Sequence, residues 1–276
     1  MSDLLGAAVE AGYAARARLA RLMLARPPAP DARARRLEED GLVVLPGLLD
    51  AAAVARIRRA NEKWFDLGHP EELVFSPDGR TLKEAAAAPR AELERYYFLH
   101  VKNYQRKFEL YRVFGELLDP VLGAYYGGRW AARDIYCYRN QPVPAVQGSY
   151  AWHRDNYPTG SLKVMTYLTP VRGVEDGPLT VARGSHRGFQ PDLGKVGDRY
   201  DEAWVKERFE PVHALGEPGT VIVFNNNAVH RAWDPARGCR EALNFTVFPS
   251  VLPPEPSDVK GLDLGEEAGW LKKYTR

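Results

Sequence analysis

The stretch Trp152-His153-Arg154-Asp155 decides the fold of this chain, because it has the pattern of a β-strand that carries metal ligands. Side chains two residues apart on an extended strand point to the same face, so His153 and Asp155 can reach one ion while Arg154 turns away. His230, far downstream, can supply a third ligand from a distant strand. Two histidines and one carboxylate on one face of an octahedral ion leave the opposite face open, which is the geometry of non-haem Fe(II) oxygenases.

The composition is that of one large globular domain. The chain has 276 residues, of which 45% are hydrophobic and 27% are charged. A net charge of +2 is too small to indicate a nucleic-acid surface. No apolar run reaches the roughly 18 residues that a membrane-spanning helix needs. The two cysteines, Cys137 and Cys239, indicate no disulfide framework, so we expect a reduced, cytoplasmic location.

Helical patterns occupy the first half of the chain. Residues 1–30 are predicted to form an amphipathic helix (3–25) and a Pro-rich linker. We expect this helix to pack on the outside of the domain, with a membrane surface or a partner as alternatives. Residues 31–276 are predicted to form a single domain, with a helical part at 31–130 and a metal-bearing core at 131–250. The further helices are predicted over 31–39, over 51–66 with Asp50 as N-cap, and over 104–126.

Short strand-like runs separated by turn residues occupy the second half. They lie at 133–139, 148–155, 161–168, 178–182, 219–225 and 242–248. Helices first and strands afterwards predict an α+β, mainly β fold with an antiparallel core. The run at 219–225 is apolar and delivers His230 to the site. Residues 186–210 are predicted to form a long insertion before the last strands.

Four segments of the sequence, taken in order, are more specific than any one of them. They are Glu38-Glu39-Asp40-Gly41-Leu42-Val43-Val44-Leu45-Pro46-Gly47, the Trp-His-x-Asp stretch, Asp176-Gly177-Pro178-Leu179-Thr180-Val181-Ala182-Arg183-Gly184-Ser185-His186, and His230 followed by Arg240. In this order they resemble the phytanoyl-CoA dioxygenase family of Fe(II)/2-oxoglutarate oxygenases, over roughly residues 33–250. The resemblance implies a double-stranded β-helix (jelly-roll, cupin-like) core with flanking helices.

The resemblance also implies roles for individual residues. His153, Asp155 and His230 would be the iron ligands, and Arg240 would pair with the distal carboxylate of 2-oxoglutarate. The expected activity is hydroxylation of a small molecule with Fe(II), 2-oxoglutarate and O2, with ascorbate as a stimulant and succinate and CO2 as products. The carboxylate of Asp155 favours hydroxylation or a variant such as desaturation or ring closure, because related halogenases have a small residue at that position.

Further positions are implied at the cosubstrate. Tyr167 falls where an aromatic residue of the family lies beside 2-oxoglutarate, and Cys137 falls at another lining position. Ala232 stands where the family often has serine or threonine, so one hydrogen bond to the cosubstrate is either missing or supplied from elsewhere. The candidates for that bond are Gln141, Gln147 and Lys102.

Two alternatives lie outside this activity. One is a non-catalytic jelly-roll that binds a metal or a ligand, and the other is a cupin-type metalloenzyme that does not use 2-oxoglutarate. Arg240 discriminates, since only the cosubstrate requires that cation; Arg231 and Arg237 are nearby rivals for its role. Arg154 and Arg231, with the aromatic residues beside them, suit an anionic or polar substrate, while solvated charges at a loop rim are the alternative. His186 is predicted to be structural, bonding backbone in its turn.

Overall fold

The computed structural model describes residues 29–67, 73–75, 96–99, 114–140, 148–191, 198–236 and 238–250, together with isolated helical residues between 8 and 22. The described residues of the predicted N-terminal helix are helical, but Leu19 and Leu22 are exposed instead of packed on the domain. Within the described ranges, no helix has the length and apolar character that crossing a membrane requires. The helices are α1 (Ala32–Asp40), α2 (Ala51–Leu67), α3 (Glu116–Tyr126) and α4 (Glu202–Arg208).

Side chains and glycines at the helix ends fix where these helices begin and stop. The Asp31 carboxylate accepts a hydrogen bond from the backbone N–H of Arg33 at 2.7 Å, and α1 ends at Gly41 in the left-handed conformation. The predicted N-cap Asp50 accepts a bond from Ala53 N–H at 2.6 Å. Helix α3 ends at Gly127, as predicted, whereas the earlier part of the predicted 104–126 helix, residues 104–113, lies outside the described residues.

The strands form two antiparallel sheets, which confirms the predicted double-stranded β-helix with flanking helices. The strands are β1 (Leu42–Leu45), β2 (Leu73–Phe75), β3 (Tyr96–Leu99), β4 (Arg129–Asn140), β5 (Trp152–His153), β6 (Leu162–Tyr167), β7 (Leu179–Ala182), β8 (Arg199–Tyr200), β9 (Pro211–Ala214), β10 (Val221–Asn225), β11 (His230–Ala232) and β12 (Arg240–Ser250). The larger sheet has the order β1-β10-β6-β12-β4-β3-β2 and the smaller sheet has the order β8-β5-β11-β7-β9.

Alternation along the strands divides the larger sheet into an outer and an inner face. On β12, Leu243, Phe245 and Val247 pack with the helices in the outer core. Ala242 points to the other face and packs in the inner core, between the two sheets, with residues such as Met165. Both faces of the sheet are therefore covered, and only the inner face is directed at the smaller sheet.

Two sequence predictions change in this fold. The predicted strand 148–155 is shorter, because Gly148–Tyr150 form a 3-10 turn and β5 ends at His153. Asp155 therefore lies in a loop, next to Asn156 with φ of 56°, and not on the strand. The predicted insertion 186–210 contains regular secondary structure, namely β8 and α4.

Gly219 is a position where only glycine fits the backbone, and it offers a test of the fold. Its φ is +93°, and a Cβ added there would lie 2.2 Å from the Leu49 carbonyl oxygen. We expect Gly219→Ala to lower stability by about 2–4 kcal/mol, through combined strain and clash. Gly47→Ala is the matched control, since Gly47 has φ of +62° with open space around it. Equal losses of the free energy of unfolding in denaturant titrations of the two variants would contradict the clash.

Candidate metal centre

The smaller sheet brings the two predicted histidine ligands side by side. His230 of β11 pairs directly with His153 of β5, and their ring centroids are 4.2 Å apart. Directly opposite residues of an antiparallel pair point to the same face of a sheet. Both side chains are buried, and the ring of Phe224 packs against His230 at 5.1 Å between centroids. The strand pairing itself thus sets the spacing of the two imidazoles.

The two imidazoles are held in the same way by the backbone. His153 Nδ1 lies 2.9 Å from the Ala151 carbonyl oxygen, and His230 Nδ1 lies 2.9 Å from the Ala228 carbonyl oxygen. A carbonyl can only accept, so each Nδ1 carries a proton, and in a neutral imidazole with this tautomer Nε2 is the nitrogen that can bind a metal. Such a bond at the far ring nitrogen is the usual way in which proteins orient a metal-binding histidine.

The carboxylate of Asp155 completes a group that can hold a metal ion. Its Oδ1 lies 3.5 Å from His153 Nε2 and 3.8 Å from His230 Nε2. The three ligand atoms all lie within 4.8 Å of one another. Ligand atoms about 2.1 Å from one ion lie roughly 3–4 Å apart, so this donor set fits a divalent metal. Two neutral imidazoles and one carboxylate are the donors of the 2-His-1-carboxylate triad.

The electrostatics of the group favour the protonation states that a metal requires. Burial and the neighbouring His153 lower the pKa of His230 to about 3, although Asp155 acts in the opposite direction. Burial raises the pKa of the Asp155 carboxyl, but Lys163, then His230 and His153, outweigh burial and hold that pKa well below its usual range. At neutral pH the group therefore presents a neutral imidazole at His230 and an ionised carboxylate.

Consecutive asparagines between β10 and β11 hold the loop that carries Asp155. The backbone N–H of Asp155 donates to the Asn226 carbonyl at 3.2 Å. The Asn227 amide makes two bonds to Tyr157, accepting from its N–H at 2.9 Å and donating to its carbonyl at 2.7 Å. These bonds fix the loop and thereby the direction of the carboxylate.

We expect Asn227→Ala to weaken metal binding about 10- to 100-fold, the usual range when a group that orients a metal ligand is removed. The Asp155 carboxylate would remain but would no longer be held toward the imidazoles. Titration with Mn(II) or Co(II) measures the change, and Ser250→Ala, at the end of β12, is the control. A metal affinity equal to that of the wild type would show that the loop holds its shape without this amide.

Arg240, at the start of β12, is buried on the inner face of the larger sheet. Its guanidinium donates to the Gly177 carbonyl at 2.5 Å and to the Asn140 side-chain oxygen at 2.6 Å. Ala242, the next inner residue of β12, packs in the inner core between the two sheets. A buried cation thus shares the enclosed interior with the His-Asp-His group.

The family model for phytanoyl-CoA dioxygenase (PhyH) matches residues 37–234, a range that includes His153, Asp155 and His230. The chain belongs to the phytanoyl-CoA dioxygenase family. No curated protein matches it in sequence.

Several solved structures share the fold of this family member. The 2-oxoglutarate-dependent epimerase SnoN from nogalamycin biosynthesis is 20% identical, with 85% of this chain and 95% of that chain covered and a TM-score of 0.57. EctD from S. alaskensis, with bound Fe, is 21% identical, with coverages of 88% and 86% and a TM-score of 0.57. HygX from Streptomyces hygroscopicus, with nickel and 2-oxoglutarate bound, is 16% identical, with coverages of 86% and 94% and a TM-score of 0.51.

Tyr167 and Cys137 are the two other residues of this PhyH-family chain that are predicted to line the cosubstrate, and their surroundings differ. The hydroxyl of buried Tyr167 donates to the Ala214 carbonyl at 2.8 Å and accepts from Leu179 N–H at 3.0 Å, so it ties the two sheets together. Cys137 lies on β4 in register with Leu243, which packs in the outer core. The Cys137 side chain lies outside the described residues, and its cosubstrate role stays a prediction. Gln141, Gln147 and Lys102 also lie outside the described residues.

The arginines that suggested an anionic substrate do not face the metal ligands. Arg154 donates to the Ser185 carbonyl at 2.8 Å and stacks on the Phe189 ring at 4.0 Å. Arg231 pairs with Glu202 of α4 at 2.9 Å, on the face of β11 opposite to His230. Both arginines hold the outer side of the smaller sheet, so the basis of that substrate inference in the sequence was wrong.

The Gly-Ser-His turn is structural, as predicted for His186. His186 Nε2 lies 3.0 Å from the Glu38 carbonyl oxygen, which joins the turn to α1. The Ser185 hydroxyl accepts a bond from Val229 N–H at 2.7 Å, immediately before His230. The contacts of this turn therefore help to position His230, and they are made to backbone groups.

Lys163 is a residue of the site that the sequence analysis missed. It lies on β6 and its ammonium group contacts Oδ2 of Asp155 directly. The cross-strand partners of Lys163 are Phe224 and Thr246. The sequence does show that Lys163 is the one charged residue in the apolar run of β6. It does not show which face of the sheet this residue occupies.

Proposed function

We propose that this chain is an Fe(II)- and 2-oxoglutarate-dependent dioxygenase that hydroxylates an unactivated C–H bond of a small molecule and releases succinate and CO2. The observation that carries the proposal is the convergence of His153, Asp155 and His230 in the interior that also holds the buried cation of Arg240. Membership of the PhyH family supports the same class of activity. Neighbouring folds that bind Fe, or nickel and 2-oxoglutarate, support these cofactors.

Each part of the site has a role in this proposal. When bound, the iron and 2-oxoglutarate would supply the activation of O2 and the oxidation of the C–H bond. The triad residues would hold the ion on one face and leave the other face open. Arg240, oriented by the Gly177 carbonyl and the Asn140 amide, would receive the distal carboxylate of the cosubstrate. The inner core, with Met165 and Phe224, would exclude water from the reacting groups.

Structural neighbours with this fold have different reaction outcomes, so the outcome proposed for this chain needs its own test. Structural neighbours include an epimerase and the carbocyclase SnoK, which use the same cosubstrate. The carboxylate of Asp155 supports hydroxylation over halogenation, since it occupies the position where halogenases have a small residue. Mass spectrometry of the product separates the outcomes: hydroxylation adds one oxygen atom, ring closure removes two hydrogens and epimerisation leaves the mass unchanged.

The substrate class we propose is a small polar or anionic molecule in a cytoplasmic enzyme. Arg154 and Arg231 do not support a polar or anionic substrate, since they do not face the site. Lys163 does support it, because it brings a cation to the inner face beside the triad. A cationic substrate would meet this ammonium group and the metal ion together, at a cost in Coulomb energy.

Formation of succinate by anaerobically purified protein, given Fe(II), 2-oxoglutarate and O2 with and without ascorbate, tests the proposal. We expect slow, iron-dependent succinate formation in the absence of the prime substrate. Binding of 2-oxoglutarate to the iron-loaded protein under anaerobic conditions is measured in parallel. Iron binding without 2-oxoglutarate binding or succinate would favour the non-catalytic jelly-roll or the cupin-type enzyme that does not use this cosubstrate.

A further inference from the structure

The two oxygens of the Asp155 carboxylate face different neighbours. Its Oδ1 faces both imidazole nitrogens, at 3.5 and 3.8 Å, while its Oδ2 contacts the ammonium group of Lys163. Lys163 extends across the inner face from β6, and its side chain is 12% exposed. The Lys163 ammonium also lies 5.8 Å from the Phe224 ring centroid, where a cation is attracted to the ring face. The lysine is therefore held on the side of the carboxylate away from the histidines.

The number of open positions on the ion makes this division important. An octahedral ion held by three protein ligands keeps three positions open, which chelating 2-oxoglutarate and O2 together fill. A carboxylate that bound through both oxygens would take one of these positions. Asp155 must therefore bind through one oxygen, and a partner that occupies the other oxygen would favour this mode of binding.

We propose that Lys163 is the positioning residue that keeps Asp155 monodentate. The proposal rests on the proposed function, because it concerns the coordination of that ion. The ammonium group binds Oδ2 and leaves Oδ1 alone to face the imidazoles. Its positive charge also compensates part of the negative charge that 2-oxoglutarate brings to the site.

The proposal predicts opposite effects on the metal and on the cosubstrate. Lys163→Met has a side chain of similar length without the charge. Removing the ammonium group removes a repulsion of the ion and frees Oδ2 to bind it, so metal affinity is expected to stay the same or to rise a few-fold. The affinity for 2-oxoglutarate is expected to fall about tenfold, because a coordination position and a positive charge are lost.

Three measurements test this on the full chain. Mn(II) titration gives the metal affinity, water-proton relaxation of the Mn(II) protein gives the number of metal-bound waters, and anaerobic 2-oxoglutarate titration of the Fe(II) protein gives the cosubstrate affinity. Lys163→Met is expected to lose one bound water relative to the wild type. Lys163→Arg keeps a cation and donors at this position and is expected to restore the water and most of the cosubstrate affinity.

The outcomes separate this inference from the proposed function. A wild-type protein that binds neither Mn(II) nor 2-oxoglutarate would overturn the proposed function itself. A wild-type protein that binds both, with an unchanged water count or unchanged 2-oxoglutarate affinity in Lys163→Met, would overturn the role of Lys163. Parallel losses of metal and cosubstrate affinity would also overturn it, because a residue needed only for folding gives that result.

A second observation concerns Asn244, on the inner face of β12. Asn244 is fully buried, and neither its Oδ1 nor its Nδ2 has a hydrogen-bond partner. Buried side-chain amides in native proteins are nearly always bonded, so a wholly unpartnered one needs a bonding partner from outside the chain, such as a ligand or an ordered water. Its cross-strand neighbour is Met165 of the inner core. Along the same face of β12, Asn244 lies between Arg240 and Thr246, the strand partner of Lys163.

We infer that the Asn244 amide donates a hydrogen bond to bound 2-oxoglutarate, in place of the side chain that Ala232 lacks. This inference also rests on the proposed function, in which the cosubstrate extends from Arg240 to the ion. The inner residues of β12 between Arg240 and the Lys163–Asp155 pair then flank the cosubstrate. Arg240 is itself only 1% exposed, so Asn244 and Arg240 are both almost completely buried on the inner face of β12.

A comparison of two buried polar residues on opposite faces of the larger sheet tests the inference. Asn244→Leu and Thr166→Val each remove a fully buried polar group without a partner, but Thr166 alternates with Val164 of the outer core. Both variants are expected to keep or raise the Tm of the metal-free protein. Only Asn244→Leu is expected to weaken 2-oxoglutarate binding, about five- to tenfold, with metal affinity unchanged.

The result that would overturn the role of Asn244 is a wild-type affinity for 2-oxoglutarate in Asn244→Leu, or in Asn244→Ala if the leucine variant does not fold. Equal losses in Asn244→Leu and Thr166→Val would overturn it as well, because the effect would then come from the sheet as a whole. A changed metal affinity in Asn244→Leu would assign the residue to the ion and not to the cosubstrate.

Discussion

Replacement of His230 by alanine is expected to lower metal affinity by more than about a hundredfold and to abolish iron-dependent succinate formation. Loss of an outer group that orients a ligand costs about 10- to 100-fold, and loss of the ligand itself exceeds that range. His230 supplies a neutral Nε2 that its strand partner His153 and the Ala228 carbonyl hold in place. Metal content per protein after anaerobic reconstitution measures the effect, and His153→Ala should behave in the same way.

His213→Ala is the control for these histidine variants. His213 lies on β9 and bonds the Thr180 hydroxyl at 2.7 Å, away from the triad. We expect this variant to retain iron at the wild-type level. Full iron occupancy in His230→Ala or in His153→Ala would remove that histidine from the metal site, whereas loss of iron in His213→Ala would indicate a general loss of structure.

Replacement of Arg240 by alanine is expected to raise the KM for 2-oxoglutarate about a hundredfold or more, with little change in metal affinity. Truncation of one partner of a buried charge pair typically costs about 2–5 kcal/mol, which is roughly 30- to several thousand-fold in binding. The two bonds of Arg240 to Gly177 and Asn140 direct the guanidinium before any ligand binds. Steady-state succinate formation at varied 2-oxoglutarate concentration gives the KM.

Two further variants delimit the Arg240 result. Arg172→Ala removes an arginine that is exposed and paired with Glu217 on the surface, and it should leave the KM unchanged. Arg240→Lys keeps the charge but loses the planar fork, so its KM should lie between those of the wild type and Arg240→Ala. An unchanged KM in Arg240→Ala would contradict the assignment of Arg240 to the cosubstrate carboxylate. It would favour the alternatives that do not use 2-oxoglutarate.

The three residues of the His-Asp-His group could be picked out from the sequence because each lies in a local motif. The Trp-His-x-Asp stretch, the Gly-Ser-His turn and the apolar strand before His230 are continuous segments, so their chemistry can be recognised before their positions are known. The helix caps at Asp50 and Gly127 were predictable for the same reason. The fold class followed from the change of periodicity between the two halves of the chain.

The sequence could not predict which side chains would face the ion from the larger sheet. On β6, inner and outer positions are both largely apolar because both faces of the sheet are covered, so there is no alternation to show that Lys163 points inward. The same ambiguity hid Asn244. The substrate role predicted for Arg154 and Arg231 is wrong because their partners, Phe189 and Glu202, come from residues 186–210, whose position cannot be predicted from the sequence.

The three proposed ligands come from different parts of the fold, which bears on how a site of this kind can diversify. The histidines belong to paired strands, so their geometry is inseparable from the sheet. Asp155 belongs to a loop, held by backbone bonds and by the Asn227 amide, and its side chain takes part in no strand pairing. Exchanging that one carboxylate would alter the coordination of the ion while every ladder bond persists. In the proposed site, the residue that would tune the ion can therefore be exchanged without loss of the strand pairing that holds the two histidines.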